Sequence, residues 1–402
     1  MGARAGSLLE DEKSPFARVP APCAYFGSCG GCSLQDLAYQ DQLTLKHRRL
    51  TRALSPIAGM PPFTLAGLDD PWRYRNKAEF TFGLSEGRLV LGYHAARSYW
   101  RVVDLDDCLL LPAAAMRAVR RAAALAVESG LPPYHPRSHH GFFRYLLVRA
   151  SRRTGRILLC LMTAPGAREP VERMAEAMRQ DEAVAGFYWG VTGRLADVAV
   201  PETLELLWGQ THLEEQVGPF RMLLHPLSFL QPSLAQAERL YARMREAVAD
   251  LSAGVGWDLY CGLGLAGFYL AGRMRTVHAI DSEAHHLDLA AANAARNGLT
   301  NIEFRTGKVE SLLMDRRFWL QEARPDVVVV DPPRAGLHAA ALASLLAARP
   351  RRIVYVSCNV QSLVRDLGGL LTGFPRYRIA AAEAYDMFPQ TNHAEMLLVL
   401  ER

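Results

Sequence analysis

The spacing of apolar residues changes three times along the chain. After a polar start, "MGARAGSLLEDEKSPF", the stretch "LQDLAYQDQLTLKHRRLTRAL" carries apolar residues at helical spacing and ends basic, which predicts a helix from about 34 to 54. From about 63 to 220 the spacing shortens to alternation. Runs such as "KAEFTFGL", "RLVLGYH" and "RYLLVRA" are separated by "SEGR" and "SRRTGR", which predicts antiparallel hairpins with one inserted helix in "AAAMRAVRRAAALAVESG". Then "PSLAQAERLYARMREAVADL" predicts a long amphipathic helix. Beyond it, continuous apolar strands in "GVGWDLY", "TVHAIDS", "DVVVVDPPR" and "RIVYVSCN" alternate with helices, the pattern of a buried parallel sheet. The expected fold class is therefore α/β, a Rossmann-like doubly wound domain preceded by an antiparallel β-rich domain. The divisions read as a loose tail over 1–22, a central domain over 23–225 and the α/β domain over 226–402.

Composition narrows the class more than the chemistry. A chain of 402 residues, half hydrophobic and 22% charged, suits two or three globular domains. No apolar run approaches the roughly 20 residues that span a bilayer, and the start lacks an apolar signal core, so a soluble cytoplasmic protein is expected. The net charge of +5 does not announce a polyanionic partner. Only four of the 46 basic residues are lysine, and arginine suits phosphate forks and base stacking, but a GC-rich genome gives the same skew. Seven cysteines lie at 23, 29, 32, 108, 160, 261 and 358. An odd number without a signal segment argues for metal binding or catalysis over a disulfide framework.

In "DLYCGLGLAGFYLA", Gly262 and Gly264 let the backbone turn tightly at a strand end, and Asp281 closes the next strand, where an acid can accept hydrogen bonds from ribose hydroxyls. Each alone also fits a plain turn or a helix cap. The later "DPPR" puts Asp331, Pro332 and Pro333 after another strand and resembles the D/N-P-P motif of S-adenosylmethionine-dependent methyltransferases, a resemblance that favours methyl transfer over hydride transfer. The strand "RIVYVSCN" delivers Cys358 to the same sheet edge. A thiol beside a methyl donor fits pyrimidine C5 chemistry: addition of the thiolate to C6 makes C5 nucleophilic, and a base then removes the C5 proton. Glu395 in "PQTNHAEMLLVL" is the candidate base and His393 its weaker competitor.

These segments, together with "YRNKAEFTFG", "LGYHAARS" and "VVDLDDCLL", resemble in order the motifs of the S-adenosylmethionine-dependent RNA uracil-C5 methyltransferases over nearly all of residues 23–402. The resemblance implies a class I methyltransferase domain with Cys358 as nucleophile and Glu395 as general base. It places Gln231, Tyr260, Gly262, Asp281 and Asp331 around S-adenosylmethionine. "QPS" at 231–233 and Leu265 depart from the usual pattern. The spacing of Cys23, Cys29 and Cys32, with Cys108 distant, resembles the ligand set of a [4Fe-4S] cluster, although zinc accepts four thiolates as well. With that cluster the implied substrate is 23S ribosomal RNA, and the stretch before Cys23 is expected to leave no room for the amino-terminal RNA-binding β-barrel of longer relatives. Transfer-RNA uracil and RNA cytosine-C5 methylation are the alternatives, and a non-catalytic cluster protein is a rival of another class. Arginines and aromatics in "WRYRNK" and "HHGFFRYLLVRASRR" are expected at the RNA surface, in a monomer that binds neither DNA nor membrane.

Overall fold

In the computed structural model of the chain, residues 12–251, 253–315, 317, 324–373 and 376–402 are described, so the first eleven residues of the expected tail lie outside the described residues. In chain order the first half runs α1 (Tyr39–Leu54), β1 (Leu65–Ala66), β2 (Lys77–Ser85), β3 (Arg88–His94), β4 (Val102–Asp104), α2 (Ala113–Glu128), β5 (Phe143–Ala150), β6 (Ile157–Thr163), α3 (Glu169–Met178), β7 (Val184–Val191), β8 (Thr203–Gly209), β9 (Leu213–Val217) and β10 (Phe220–Leu224). The second half runs α4 (Leu234–Ala247), β11 (Val255–Leu259), α5 (Leu265–Ala271), β12 (Thr276–Asp281), α6 (Ala284–Arg296), β13 (Ile302–Thr306), α7 (Val309–Met314), β14 (Val327–Val330), α8 (Ala339–Ala348), β15 (Arg352–Ser357), α9 (Val360–Thr372), β16 (Arg378–Tyr385) and β17 (Glu395–Glu401). The chain forms two compact units. One contains the residues up to Tyr39, Asp70–Gln216 and Met222–Leu227, and the other Gln40–Asp69, Val217–Arg221 and Ser228–Arg402.

The first unit is built on a seven-stranded sheet in the order β4-β3-β2-β5-β6-β7-β8. Neighbours are antiparallel except β6 and β7, which α3 joins as a crossover, since parallel neighbours cannot be linked by a tight turn. Its two predicted hairpins are present as β2–β3 and β5–β6. Every residue of β5 is buried, so Arg144 and Arg149, expected at an RNA surface, lie inside at 2% and 0% exposure. Arg149 donates from Nη1 to Asn76 Oδ1 at 3.0 Å, and Arg144 is held by three backbone carbonyls, as buried guanidinium groups require.

The second unit is an eight-stranded sheet in the order β1-β16-β17-β15-β14-β11-β12-β13. Strands β15, β14, β11, β12 and β13 run parallel to one another, while β17 inserts antiparallel between β15 and β16. The four valines of β14 are fully buried, which explains their unbroken apolar run: a central parallel strand is covered on both faces. Trp257, Tyr355 and Leu398 from the sheet pack with Leu345, Leu363 and Leu367 from α8 and α9 in one core, joined by Leu50 and Leu54 of α1. Among the described residues no helix is long and apolar enough to cross a membrane.

Candidate active site

The parallel strands of the second unit all end at one sheet edge, the usual ligand side of such a fold. There β11 delivers Tyr260 and Gly262, β12 ends in Asp281, and β14 and β15 lead directly into Asp331 and Cys358. Because β17 is antiparallel to β15, its beginning comes to the same edge. The last paired residues are Ser357 and Met396, so one step further Glu395 stands across from Cys358. All seven candidate residues of the donor pocket and reaction centre thus belong to one unit.

The turn after β11 depends on its glycines. Gly262 and Gly264 have φ of 52° and 76°, and a Cβ on Gly264 would lie 3.1 Å from ring atoms of Phe268 and Phe304. Tyr260 also has positive φ, 64°, a costly conformation for an aromatic residue. The turn is anchored by Asp281, whose Oδ2 accepts from Gly262 N at 2.9 Å and whose Oδ1 accepts from Glu283 N at 3.0 Å. Each oxygen keeps a second lone pair for a ribose hydroxyl, so the donor set fits S-adenosylmethionine. Below the turn, Asp258 accepts from Gly267 N at 2.7 Å, and burial pushes its carboxyl up to about 7. Asp258 was not singled out from sequence; its position inside "GWDLY", an acid in an otherwise apolar strand, is the signal that marks it.

Cys358, Glu395 and Asp331 crowd three ionisable acids into one place. Burial, then the charges of Glu395 and Asp331, push the Cys358 thiol up to about 11 against the opposing pull of Arg334. Burial and Asp331 raise the Glu395 carboxyl well above its ordinary range, and its Oε1 is buried without a hydrogen-bond partner. Burial also raises Asp331, while the Gln231 amide, 3.4 Å away, opposes this. Burial beside Asp331 favours the neutral form of Glu395 against the pull of Arg334, which makes Glu395, once ionised, a stronger proton acceptor than a solvated glutamate. His393 is kept neutral by burial and by Arg334 and Lys46.

Local geometry fixes the thiol. Asn359 caps α9 through Gln361 N at 3.1 Å while its Nδ2 donates to the Arg334 carbonyl at 2.8 Å, tying the Cys358 turn to the loop after Asp331. The Ser357 hydroxyl closes the same turn by donating to the Asn359 carbonyl at 3.0 Å. Asn359 and Arg334 flank predicted residues in "SCN" and "DPPR", yet their partners are distant in sequence and unreadable from it. Glu395 is fixed from further away. In α1, Lys46 forms a fully buried ion pair with Asp386 and donates to the Phe388 carbonyl at 3.0 Å. Gln42 and Arg49 hold Gln390 and Asn392 at 2.9 and 2.8 Å. One helix therefore clamps the whole turn that leads into the candidate base.

The expected iron–sulfur cluster on Cys23, Cys29, Cys32 and Cys108 is corrected by the structure. Among the described residues no group of three or more histidine, cysteine, aspartate or glutamate side chains is placed to hold a metal ion. The four cysteines are free thiols lining a cavity of about 20 Å³ in the first unit, room for about one water. Burial raises the Cys29 and Cys108 thiols and pushes Cys32 up to about 12, so these groups are held as thiols. The β-rich unit accordingly carries no cluster-binding or metal-binding arrangement among its described residues, and the same finding removes zinc. Cys160 is a core residue of β6.

A sequence-family profile described as tRNA (uracil-5-)-methyltransferase matches residues 214–402, the segment that contains the whole site. An uncharacterized RNA methyltransferase of Caldanaerobacter subterraneus subsp. tengcongensis is 34% identical over 100% of this chain and 89% of its own length. The chain belongs to the RNA methyltransferase family of this relative. A further RNA methyltransferase, from Halalkalibacterium halodurans, is 33% identical over 98% of this chain and 86% of its length. Among solved structures, the tRNA (uracil-54, C5)-methyltransferase of Pyrococcus abyssi, in complex with S-adenosyl-L-homocysteine, superimposes with a TM-score of 0.74 at 28% identity, covering 92% of this chain and 85% of that one. Both full-length relatives are described as RNA methyltransferases, and the profile over the second half of the chain is described as a uracil-5 enzyme. The expectation of 23S ribosomal RNA is overturned, because the matching profile and the archaeal structure are both described as transfer-RNA enzymes.

Proposed function

We propose that this methyltransferase forms 5-methyluridine in transfer RNA, with Cys358 as nucleophile and Glu395 as general base. The observation that carries this reading is the β15–β17 register, which sets a thiol opposite a buried carboxyl beside Asp331 at the ligand edge of the sheet. The transfer-RNA substrate is supported by the description of the family profile and of the archaeal relative. S-adenosylmethionine, when bound, supplies an electrophilic methyl group. Gln231, Tyr260, Gly262, Asp281 and Asp331 are the residues that would hold it.

The chain's own residues account for the rest. The Cys358 thiolate adds to uracil C6, forming a carbon–sulfur bond while the C5–C6 π electrons move toward O4 and make C5 nucleophilic. Once C5 carries the methyl group, Glu395 takes the C5 proton, the C5–C6 double bond re-forms and the carbon–sulfur bond breaks to return the thiolate. Reaching both faces of the ring requires the uridine to leave its stack. In this reading the protein works as a cytoplasmic monomer.

The two roles separate experimentally on an unmodified tRNA transcript. Cys358→Ala should give neither covalent adduct nor methyl transfer. Glu395→Gln should accumulate a methylated protein–RNA adduct that survives a denaturing gel, since addition proceeds and elimination stalls. Adduct in Cys358→Ala, or free methylated RNA released at the normal rate by Glu395→Gln, would contradict the assignment. Methylation of ribosomal RNA but not the transcript would remove the substrate.

A further inference from the structure

The first unit contains a second cavity, of about 300 Å³, that none of the chemistry above uses. Thr81 and His94 of the β2–β3 hairpin line it together with Tyr134, Arg144 and Asp197. Arg144 is a fixed wall of this cavity. Its Nη1 donates to the Arg194 carbonyl at 2.7 Å and to Thr192 at 3.3 Å, its Nη2 to Ala196 at 2.9 Å, and its guanidinium carbon lies 4.1 Å from the Tyr134 ring centroid. Its Nε is buried and without a partner. His94 repeats the situation: Nε2 is 3.4 Å from Thr81 Oγ1, and Nδ1 is buried and unpartnered. Both atoms are shut off from the open space of the cavity, so Arg144 and His94 serve it as fixed wall.

The rim adds a second kind of signal. Trp100, 58% exposed, lies under the Arg137 guanidinium at 4.6 Å, and Tyr99 beside it is 85% exposed. Large aromatic rings left in solvent and paired with arginine offer stacking faces of the type that unpaired bases use. A flat ligand attached to a polyanion matches the cavity and its rim of aromatic rings and arginine together. We propose that this cavity receives one unstacked nucleobase of the RNA substrate, distinct from the uracil that is methylated, with Trp100 and Arg137 stacking on the adjoining nucleotide. The inference rests on the RNA-methylating reading for the identity of the polymer and adds a recognition point outside the methyltransferase unit.

Equilibrium binding of an unmodified tRNA transcript to the full-length protein tests it without requiring turnover. Trp100→Ala removes an exposed ring, and Tyr134→Ala removes the partner of Arg144. Each should weaken transcript binding between about fivefold and 150-fold, and by the same factor at low and high salt, because stacking is uncharged. Ultraviolet cross-linking of the unsubstituted protein should join RNA to the peptides that carry Trp100 or Tyr134. Binding changed less than twofold by both substitutions, with cross-links confined to other peptides, would overturn the proposal, as would a loss that disappears at high salt. Failure of the unsubstituted protein to methylate the transcript counts against the proposed function and leaves the binding result to judge the cavity on its own.

Discussion

Alkylation of Cys358 as a function of pH gives the most direct measure of the crowding at the sheet edge. A thiol titrating near 11 is ionised to about one part in ten thousand at pH 7, about a hundredfold less than one at the ordinary value of 9.0. Only the thiolate attacks iodoacetamide, so the rate at Cys358 should climb about tenfold per pH unit from 7 to 10 and level off only near 11. The urea-unfolded chain, lacking burial and fixed neighbours, should level off near 9. The sign of each cause is separable: Asp331→Asn and Glu395→Gln remove charges that raise the thiol and should move the plateau to lower pH, while Arg334→Gln should move it higher. Quenched time points with peptide-resolved mass spectrometry follow Cys358 separately from the other six cysteines. A plateau at or below pH 9 in the folded protein, or no movement in any of the three variants, would refute the account of the site as three mutually repelling acids.

Lys46→Met leaves Asp386 as an uncompensated buried charge and should destabilise the protein by about 3–5 kcal/mol in urea unfolding; a loss under 1 kcal/mol would mean the pair is hydrated. Asp281→Asn should weaken S-adenosylmethionine binding roughly 10- to 150-fold by calorimetry, the value of a hydrogen bond to a charged group, and unchanged affinity would place the ribose elsewhere. Gly264→Ala forces a Cβ into a left-handed turn against two aromatic rings and should cost about 1–2 kcal/mol in thermal or urea unfolding.

Periodicity made most of the sheet strands legible, because burial on one face or both imposes spacings of two or continuous apolar runs. "DVVVV" and "RIVYV" became adjacent parallel strands. The site was legible where strand ends carry it, since a strand followed by Gly, Asp-Pro-Pro or Cys points to the ligand edge. What resisted reading were contacts across long separations. Nothing near Arg144 in "FFRYLLVRA" shows that the carbonyls of Thr192, Arg194 and Ala196 hold it, so a buried guanidinium read as an RNA-facing one. Cysteine spacing misled for a related reason: it fixes which thiols are close, whereas a cluster needs room that the closely packed cavity beside Tyr93 and Arg75 does not leave. The aromatic cavity escaped altogether, because Trp100, Tyr134 and Arg144 come from three separated segments with ordinary turn or strand patterns.

The clamp of α1 on the turn before Glu395 has a consequence for how the protein is made. Lys46 and Asp386 are 340 positions apart, and β17 is the last strand of the chain although it lies inside the sheet. At about 5–20 residues per second, a ribosome needs roughly 20–70 s between releasing the first partner and the second. Through that interval α1 has no turn to grip, and β15 is a hydrogen-bonding edge exposed to other nascent strands. Closure of so long a loop also makes assembly slow once the chain is complete. Cys358 and Glu395, the proposed nucleophile and base, therefore meet only after β17 has been made, and a chain that stops before Glu395 carries the thiol without the proposed base.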